Sequence, residues 1–255
     1  MGVPRTRKRE TEPTQTKTKK EKKKKRKGKN KKRKEKTNPK TKKKKKMDEF
    51  AAALVERARG MSEPTEIEAR FGTIQDGVYV PGIQRDAFER VVEMLRTYTG
   101  WTEHERRTTR ALHFESTIVT DAGAHAKTKL VDRVFAIDGG PFAVRLVLST
   151  ETPVASPLDA RRRAVETAAR CKDRETFVYD SRVVYDCSRS VTVNAATCAA
   201  KAAFEVELEL SASAVRSTRD AGLVARSLTV KVSDIVAFVT ETSQGTPHSY
   251  TPCYT

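Results

Sequence analysis

The chain has 255 residues, 51 of them Lys or Arg and 33 Asp or Glu, for a formal net charge of +18. That excess sits in the first 46 residues, which hold 25 Lys or Arg and four Glu; the rest of the chain carries a net −3. No run approaches the 18 or more apolar residues of a membrane span, no apolar core follows the basic start as in a signal peptide, and the four cysteines show neither CxxC nor a Cys/His zinc spacing, so a reducing intracellular setting is the simplest reading.

Residues 1–47 read as a Lys/Arg-rich tail with almost no apolar side chains, too few to offset chain entropy, and are expected to be disordered. Runs such as KKKKRK (22–27) and KKKKK (42–46) suit polyanions or nuclear import, with a solubilising extension as the bland alternative. Residues 48–255 are long enough for one domain with its own core. In it, DEFAAALVERARG (48–60) has helical spacing, and a strand is expected at 65–71. Asp76-Gly77 is a hairpin-type turn. RDAFERVVEMLRTYTG (85–100) reads as an amphipathic helix with Phe88, Val91, Val92 and Leu95 on one face and Gly100 as its stop.

From 104 to 210 the chain reads as successive strands rich in Val, Thr, Phe and Tyr, broken by the turn Gly139-Gly140-Pro141. Residues 155–170 are ambiguous and allow a short helix. Residues 223–239 fit either a helix or strands. The pattern as a whole argues for a mainly β chain of α+β type, an antiparallel barrel or sandwich with a few flanking helices.

The strands carry an unusual charge alternation. FEVELEL (204–210) puts Glu205, Glu207 and Glu209 on one face, because strand side chains have a period of two. EIEAR places Glu66, Glu68 and Arg70 on one face, and RCKDR does the same for Arg170, Lys172 and Arg174. Arg182 and Asp186 share a face with Val184 between them; Arg145 and Glu151 lie on one strand; Lys127 and Lys129 lie on another. Each face alone suits a wet surface. Turned inward together, they make one cavity with about five carboxylates and several cations. Crowded carboxylates suit Mg²⁺ or Mn²⁺, and the cations suit phosphate, which describes a site for a metal-bound polyphosphate.

The order EIEARFG, RCKDR, FEVELEL resembles the triphosphate tunnel metalloenzymes over about residues 65–210, in particular the RNA 5′-triphosphatases of fungi, protozoa and large DNA viruses that begin mRNA capping. The resemblance implies an eight-stranded antiparallel β-barrel tunnel with a charged interior. It implies Glu66, Glu68 and Glu209 as metal ligands, with Glu205 and Glu207 in support. Arg170, Lys172 and Arg174 would hold the triphosphate, with Lys129, Arg145 and Arg182 as further phosphate contacts. Glu151 matches a glutamate that orients the attacking water, and Asp186 an acidic position on the following strand. Where the family has Arg two residues before that aspartate this chain has Val184, for which Arg182 is the candidate substitute. An arginine expected on an earlier strand falls to Arg107 or Arg110, and a later basic position to Lys127 or Lys129.

Absences narrow the chemistry. Six residues beyond Cys171, Cys187 and Cys198 stand Phe177, Val193 and Phe204, which excludes a Cys-x5-Arg phosphatase. The Lys-x-Asp-Gly nucleophile of guanylyltransferases is missing, so a separate guanylyltransferase is the expected partner, alongside the RNA 5′-triphosphate end; a homodimer is left open. The basic tail allows the nucleus, a virus factory or the cytoplasm, an intracellular setting in each case. Two other readings stand beside the resemblance: a tunnel hydrolase for nucleoside triphosphate, thiamine triphosphate or inorganic polyphosphate, and a non-catalytic basic nucleic-acid-binding protein whose barrel interior is apolar.

Overall fold

The computed structural model describes residues 39–114, 117–137, 142–154, 166–217 and 220–242; the remainder of the basic tail, the Gly139-Gly140-Pro141 turn and residues 155–165 of the ambiguous segment 155–170 lie outside these, while 166–170 begin a strand. The barrel-bearing unit spans Lys43–Thr255. In chain order the elements are α1 (Pro39–Arg59), β1 (Thr65–Gln75), β2 (Val78–Pro81), α2 (Arg85–Thr97), β3 (Glu103–Phe114), β4 (Thr117–Thr120), β5 (Gly123–Ala136), β6 (Phe142–Pro153), β7 (Glu166–Tyr179), β8 (Val183–Asn194), β9 (Ala200–Leu210), α3 (Ala212–Ser217) and α4 (Ala221–Thr242).

The strands pair in the order β2-β1-β6-β5-β4-β3-β7-β8-β9, every pairing antiparallel, and β9 returns to β1. Eight strands thus close a barrel, and β2 is an extra strand. It takes over the edge of β1 where β9 leaves it: β9 pairs with Ile67–Arg70, and β2 with Gly72–Gln75. The Asp76-Gly77 turn that makes this hairpin has positive φ at both residues, +50° and +79°, as a two-residue hairpin loop requires.

The hydrophobic core lies outside the barrel. Ile67, Ala69 and Phe71 of β1, Val144, Leu146 and Leu148 of β6, Phe177 of β7, and Val206, Leu208 and Leu210 of β9 are buried against the helices. By alternation, the residues between them face the lumen. The helices supply matching apolar stripes: Ala87, Phe88, Val91, Val92 and Leu95 on α2, and Val224, Ala225, Leu228, Val232 and Ile235 on α4. A barrel packed from without is free to keep a polar interior.

Two elements differ from the sequence reading, and a third that it left open is settled. Helix α1 begins at Pro39, within the basic run, and Met47 at its fourth-residue spacing from Ala51 is only 5% exposed. Lysine is a good helix former, so the stripe Met47, Ala51, Leu54, Val55, Ala58 extends the helix back beyond 48. Helix α2 stops at Thr97, before Gly100. Tyr98 is extended there, and the Trp101 indole N–H donates to the Leu95 carbonyl at 2.7 Å. Residues 221–242 are helical despite their Val, Ile and Thr content, because burial of a 3.6-period stripe outweighs β propensity.

Candidate active site

The register places the charged rows of the sequence around one lumen. On β1, Glu66, Glu68 and Arg70 stand opposite Ser149, Val147 and Arg145 of β6. Across the closing seam, Glu68 faces Glu209 and Arg70 faces Glu207 of β9. Beyond it, Glu209, Glu207 and Glu205 face Val184, Asp186 and Ser188 of β8. Then Arg174, Lys172 and Arg170 of β7 stand opposite Ser188, Ser190 and Thr192. Arg107 of β3 faces Arg174, while Arg110 faces Cys171 on the outer side. Glu151 of β6 faces Lys127 and Ser149 faces Lys129 of β5.

A register shift between Lys129 and Val131 changes which residues of β5 face inward. Strict alternation would turn Asp132 outward, but the extra residue brings it onto the face of Lys129. There it accepts from Lys129 at 3.1 Å and pairs with Arg145 at 2.7 Å. Asp132 was invisible to a period-two reading for this reason.

The lumen divides into a balanced and an unbalanced part. In the balanced part, Arg170 bonds Glu205, Lys172 lies 3.4 Å from Glu205 and 4.0 Å from Glu207, Arg70 lies 2.8 Å from Glu68 and 3.3 Å from Glu207, and Arg174 lies 2.7 Å from Asp186. Burial opposes ionisation of Glu207, but Lys172, Arg70 and Arg174 outweigh it and hold its pKa below the usual carboxylate range. Asp186 is pushed up to about 6, chiefly by burial, against the pull of Arg174.

In the unbalanced part, four carboxylates share little positive charge. Lys127 bonds Glu66 and lies 3.4 Å from Glu151 and 3.7 Å from Glu68. Burial lowers the pKa of that ammonium, but Glu68 and Glu66 more than reverse the effect and raise it. Glu209 lies between Val184 on one strand and Glu68 on the other. Burial first, then repulsion from Glu66, pushes its pKa up to about 8. Glu68 is raised as well, by burial and by Glu66, against the pull of Arg70. Like charges directly opposite in a sheet are destabilising, so the Glu68–Glu209 pairing favours an added cation.

The donor set suits a hard divalent ion, since it offers only carboxylate oxygens. Among the described residues, no three such groups converge on one point as they stand. The ammonium of Lys127 lies among Glu66, Glu68 and Glu151 instead. Buried Nε–H donors of Arg145, Arg170 and Arg174, and the Ser149 hydroxyl, lack hydrogen-bond partners among the described residues. Buried unsatisfied donors are costly, and several around one lumen suit an anion with many acceptor oxygens.

Of the residues singled out in the sequence, all but two reach the luminal face. Arg182 is corrected: it sits in the turn before β8, exposed, 3.1 Å from Asp180, because the strand starts only at Val183. Arg110 points outward, which leaves Arg107 as the earlier-strand arginine on the luminal face. The luminal position two residues before Asp186 is Val184, with no arginine in its place.

Solved structures share this architecture. The S. pombe Pct1 RNA triphosphatase is 15% identical over 80% of this chain and 94% of its own, with a TM-score of 0.59. The same enzyme in complex with the Spt5 CTD gives 14%, 78%, 92% and 0.58. The RNA triphosphatase domain of a trifunctional mimivirus mRNA capping enzyme gives 12%, 75%, 95% and 0.50. No family model matches the chain, and no curated protein matches its sequence. The chain therefore has the tunnel fold of these RNA triphosphatases: a closed eight-stranded antiparallel barrel with one extra strand.

Proposed function

We propose that this chain is a divalent-metal-dependent polynucleotide 5′-triphosphatase, which hydrolyses the γ-phosphate of nascent mRNA as the first step of cap formation. The observation that supports it best is the charge arrangement of the lumen, where under-neutralised carboxylates on β1 and β9 stand beside a row of cations on β7. Glu66, Glu68 and Glu209 would hold Mg²⁺ or Mn²⁺. Bound there, such an ion would neutralise these carboxylates and supply Lewis-acid chemistry.

The chain's own groups do the rest. Arg170, Lys172 and Arg174 hold the triphosphate and balance charge spread over the transferring phosphoryl group. Glu205 positions Arg170 and Lys172, Glu207 positions Arg70, and Asp186 fixes the Arg174 guanidinium. Glu151, at the edge of the acidic part, accepts a proton from the attacking water and aims it at phosphorus. The products are orthophosphate and a 5′-diphosphate end, the acceptor to which a guanylyltransferase adds the cap. The basic tail raises affinity for RNA through salt-dependent phosphate contacts.

The test is release of labelled γ-phosphate from triphosphate-ended RNA with Mg²⁺, with Mn²⁺ and with chelator, beside the Glu209→Ala variant. Metal-dependent release that disappears in the variant is expected. No release from RNA, nucleotide or tripolyphosphate would refute the assignment. Deleting residues 1–38 is expected to weaken RNA binding and flatten its salt dependence while sparing hydrolysis of free nucleotide.

A further inference from the structure

Beyond the phosphate-binding rows, the luminal wall carries a phenol ring that the proposed hydrolysis does not use. Tyr79 lies on the extra strand β2 and pairs with Ile74, so it shares the face of Glu66, Glu68, Arg70 and Gly72. Its ring occupies the space a side chain at residue 72 would need. A Cβ on Gly72 would lie 2.7 Å from the ring and 2.3 Å from the Val80 carbonyl oxygen. The phenol donates to the Arg70 carbonyl at 3.0 Å, and the Arg145 guanidinium lies over the ring, 5.8 Å from its centroid. The ring is thus fixed at its tip and beneath, yet the residue is only partly buried, and among the described residues no other aromatic ring packs on it.

Its position along the wall fits a particular part of the substrate. From Glu68 to Gly72 is four residues, about 13 Å along a strand, which is the length of an extended triphosphate with its ribose. A γ-phosphate at the Glu66–Glu68–Glu209 end therefore puts the first nucleoside beside Tyr79. Arg70 and Arg145 lie between the two ends. Aromatic rings recognise nucleobases by stacking, without choosing among the four bases.

We infer that the Tyr79 ring, seated over Gly72 beside Arg145, is the stacking platform for the first nucleobase and so a specificity-determining residue that favours nucleotide ends over inorganic tripolyphosphate. The substrate's identity as a 5′-triphosphate rests on the function proposed above. The platform itself is read from geometry and is tested by binding as well as by turnover.

The experiment titrates the full chain with 2-aminopurine riboside triphosphate, whose fluorescence is quenched on stacking, and then displaces it with inorganic tripolyphosphate. The wild type is expected to quench the probe and to prefer it over tripolyphosphate. Tyr79→Leu, which refills the space over Gly72 without a π face, is expected to lose the quenching and to reduce that preference roughly five- to 150-fold. Tyr79→Phe is expected to keep both. In steady state the loss falls on KM for triphosphate-ended RNA, with kcat retained. Unchanged quenching in Tyr79→Leu, or an equal loss of affinity for probe and tripolyphosphate, overturns the inference. Failure of hydrolysis with normal binding would count against the proposed function and leave the platform standing.

Discussion

Arg174 and Glu175 are neighbours on β7, and their side chains serve two clusters on opposite faces of one wall. Outside, Glu175 is saturated. Arg96 of α2 donates to both its oxygens at 2.9 and 2.7 Å, and Arg106 and His104 of β3 each reach it at 3.0 Å. Burial opposes its ionisation, but those bonds prevail and bring its pKa down to about 2. Inside, Glu209 has no cation within ion-pair distance among the described residues, and its pKa rises to about 8. A cavity of about 360 Å³ adjoins the outer cluster, lined by Phe88, Val92, Arg106 and Arg189 among others, but its carboxylate is already spoken for. On the function proposed above, the difference separates a cluster that serves the fold from one that would take a ligand. The first closes its hydrogen bonds within the fold. The second keeps charge in hand for a ligand, at some expense in stability.

Replacing the two carboxylates tests that contrast most sharply. Glu209→Gln is expected to lower hydrolysis at least about a hundredfold, the scale of losing one preorganised electrostatic contact. It should also raise the stability of the metal-free protein at neutral pH, because it removes a carboxyl whose ionisation the β1–β9 seam opposes. Glu175→Ala is expected to do the reverse. It strips the shared acceptor from two guanidiniums and an imidazole and costs roughly 2–4 kcal/mol, while the folded protein keeps its turnover. Denaturant unfolding with chelator, beside phosphate release, reads both. A Glu209 variant less stable than the wild type would contradict the account of its raised pKa.

Lys127 supplies the next step down. It is the cation shared by Glu66, Glu68 and Glu151. Lys127→Met leaves that group with less positive charge, so the metal-free protein should lose about 1–3 kcal/mol. The rise in Tm on adding Mn²⁺ should grow, because the ion then has no internal competitor. A smaller Mn²⁺ effect in the variant would mean that the lysine assists the ion.

The same contrast fixes opposite pH dependences. The folded-state pKa of Glu209 lies above its ordinary 4.5 at about 8, so the stability it contributes is complete below 4.5 and is lost as pH rises through 8. For Glu175 the folded value is about 2, so its contribution is present above 4.5 and is lost as pH falls through 2. Each group adds a slope of up to about 1.4 kcal/mol per pH unit within its window. With chelator present, Glu209→Gln should flatten the decline between pH 4.5 and 8, and Glu175→Gln the acid limb.

Much of this was legible in the sequence, and the part that was not has physical causes. Period-two alternation identified Glu66, Glu68, Glu205, Glu207, Glu209 and the Arg170–Lys172–Arg174 row as faces of strands, since each run lies in an unbroken ladder. The direction of those faces was not fixed by alternation. It follows from where the helices put their apolar stripes, a tertiary fact. The bulge at β5 hid Asp132 by breaking the period. Tyr79 escaped because its role depends on a glycine seven residues away and across a turn. The helix at 221–242 was ambiguous because its β-branched residues favour strands locally while its burial stripe favours a helix.

Arg182 and Val184 mark the smallest effect and the finest use of the comparison. Period-two spacing puts both on the face of Asp186, yet only Val184 is in the strand. Arg182 is held in the turn, where its guanidinium lies 3.1 Å from an equally exposed Asp180. An exposed pair of this kind contributes little, so Arg182→Ala should change stability by no more than about 0.5 kcal/mol and should leave KM for triphosphate-ended RNA unaltered. A clear rise in KM would mean that the turn folds over the lumen when substrate is bound. Val184 makes the opposite case. Its apolar side chain flanks Glu209 on the luminal face, so Val184→Asn, which offers a donor at nearly the same volume, should bring the Glu209 pKa down from about 8 and shift the chelator-dependent stability decline to lower pH. An unshifted decline would place the source of that raised pKa in repulsion from Glu66 and Glu68 rather than in the valine wall.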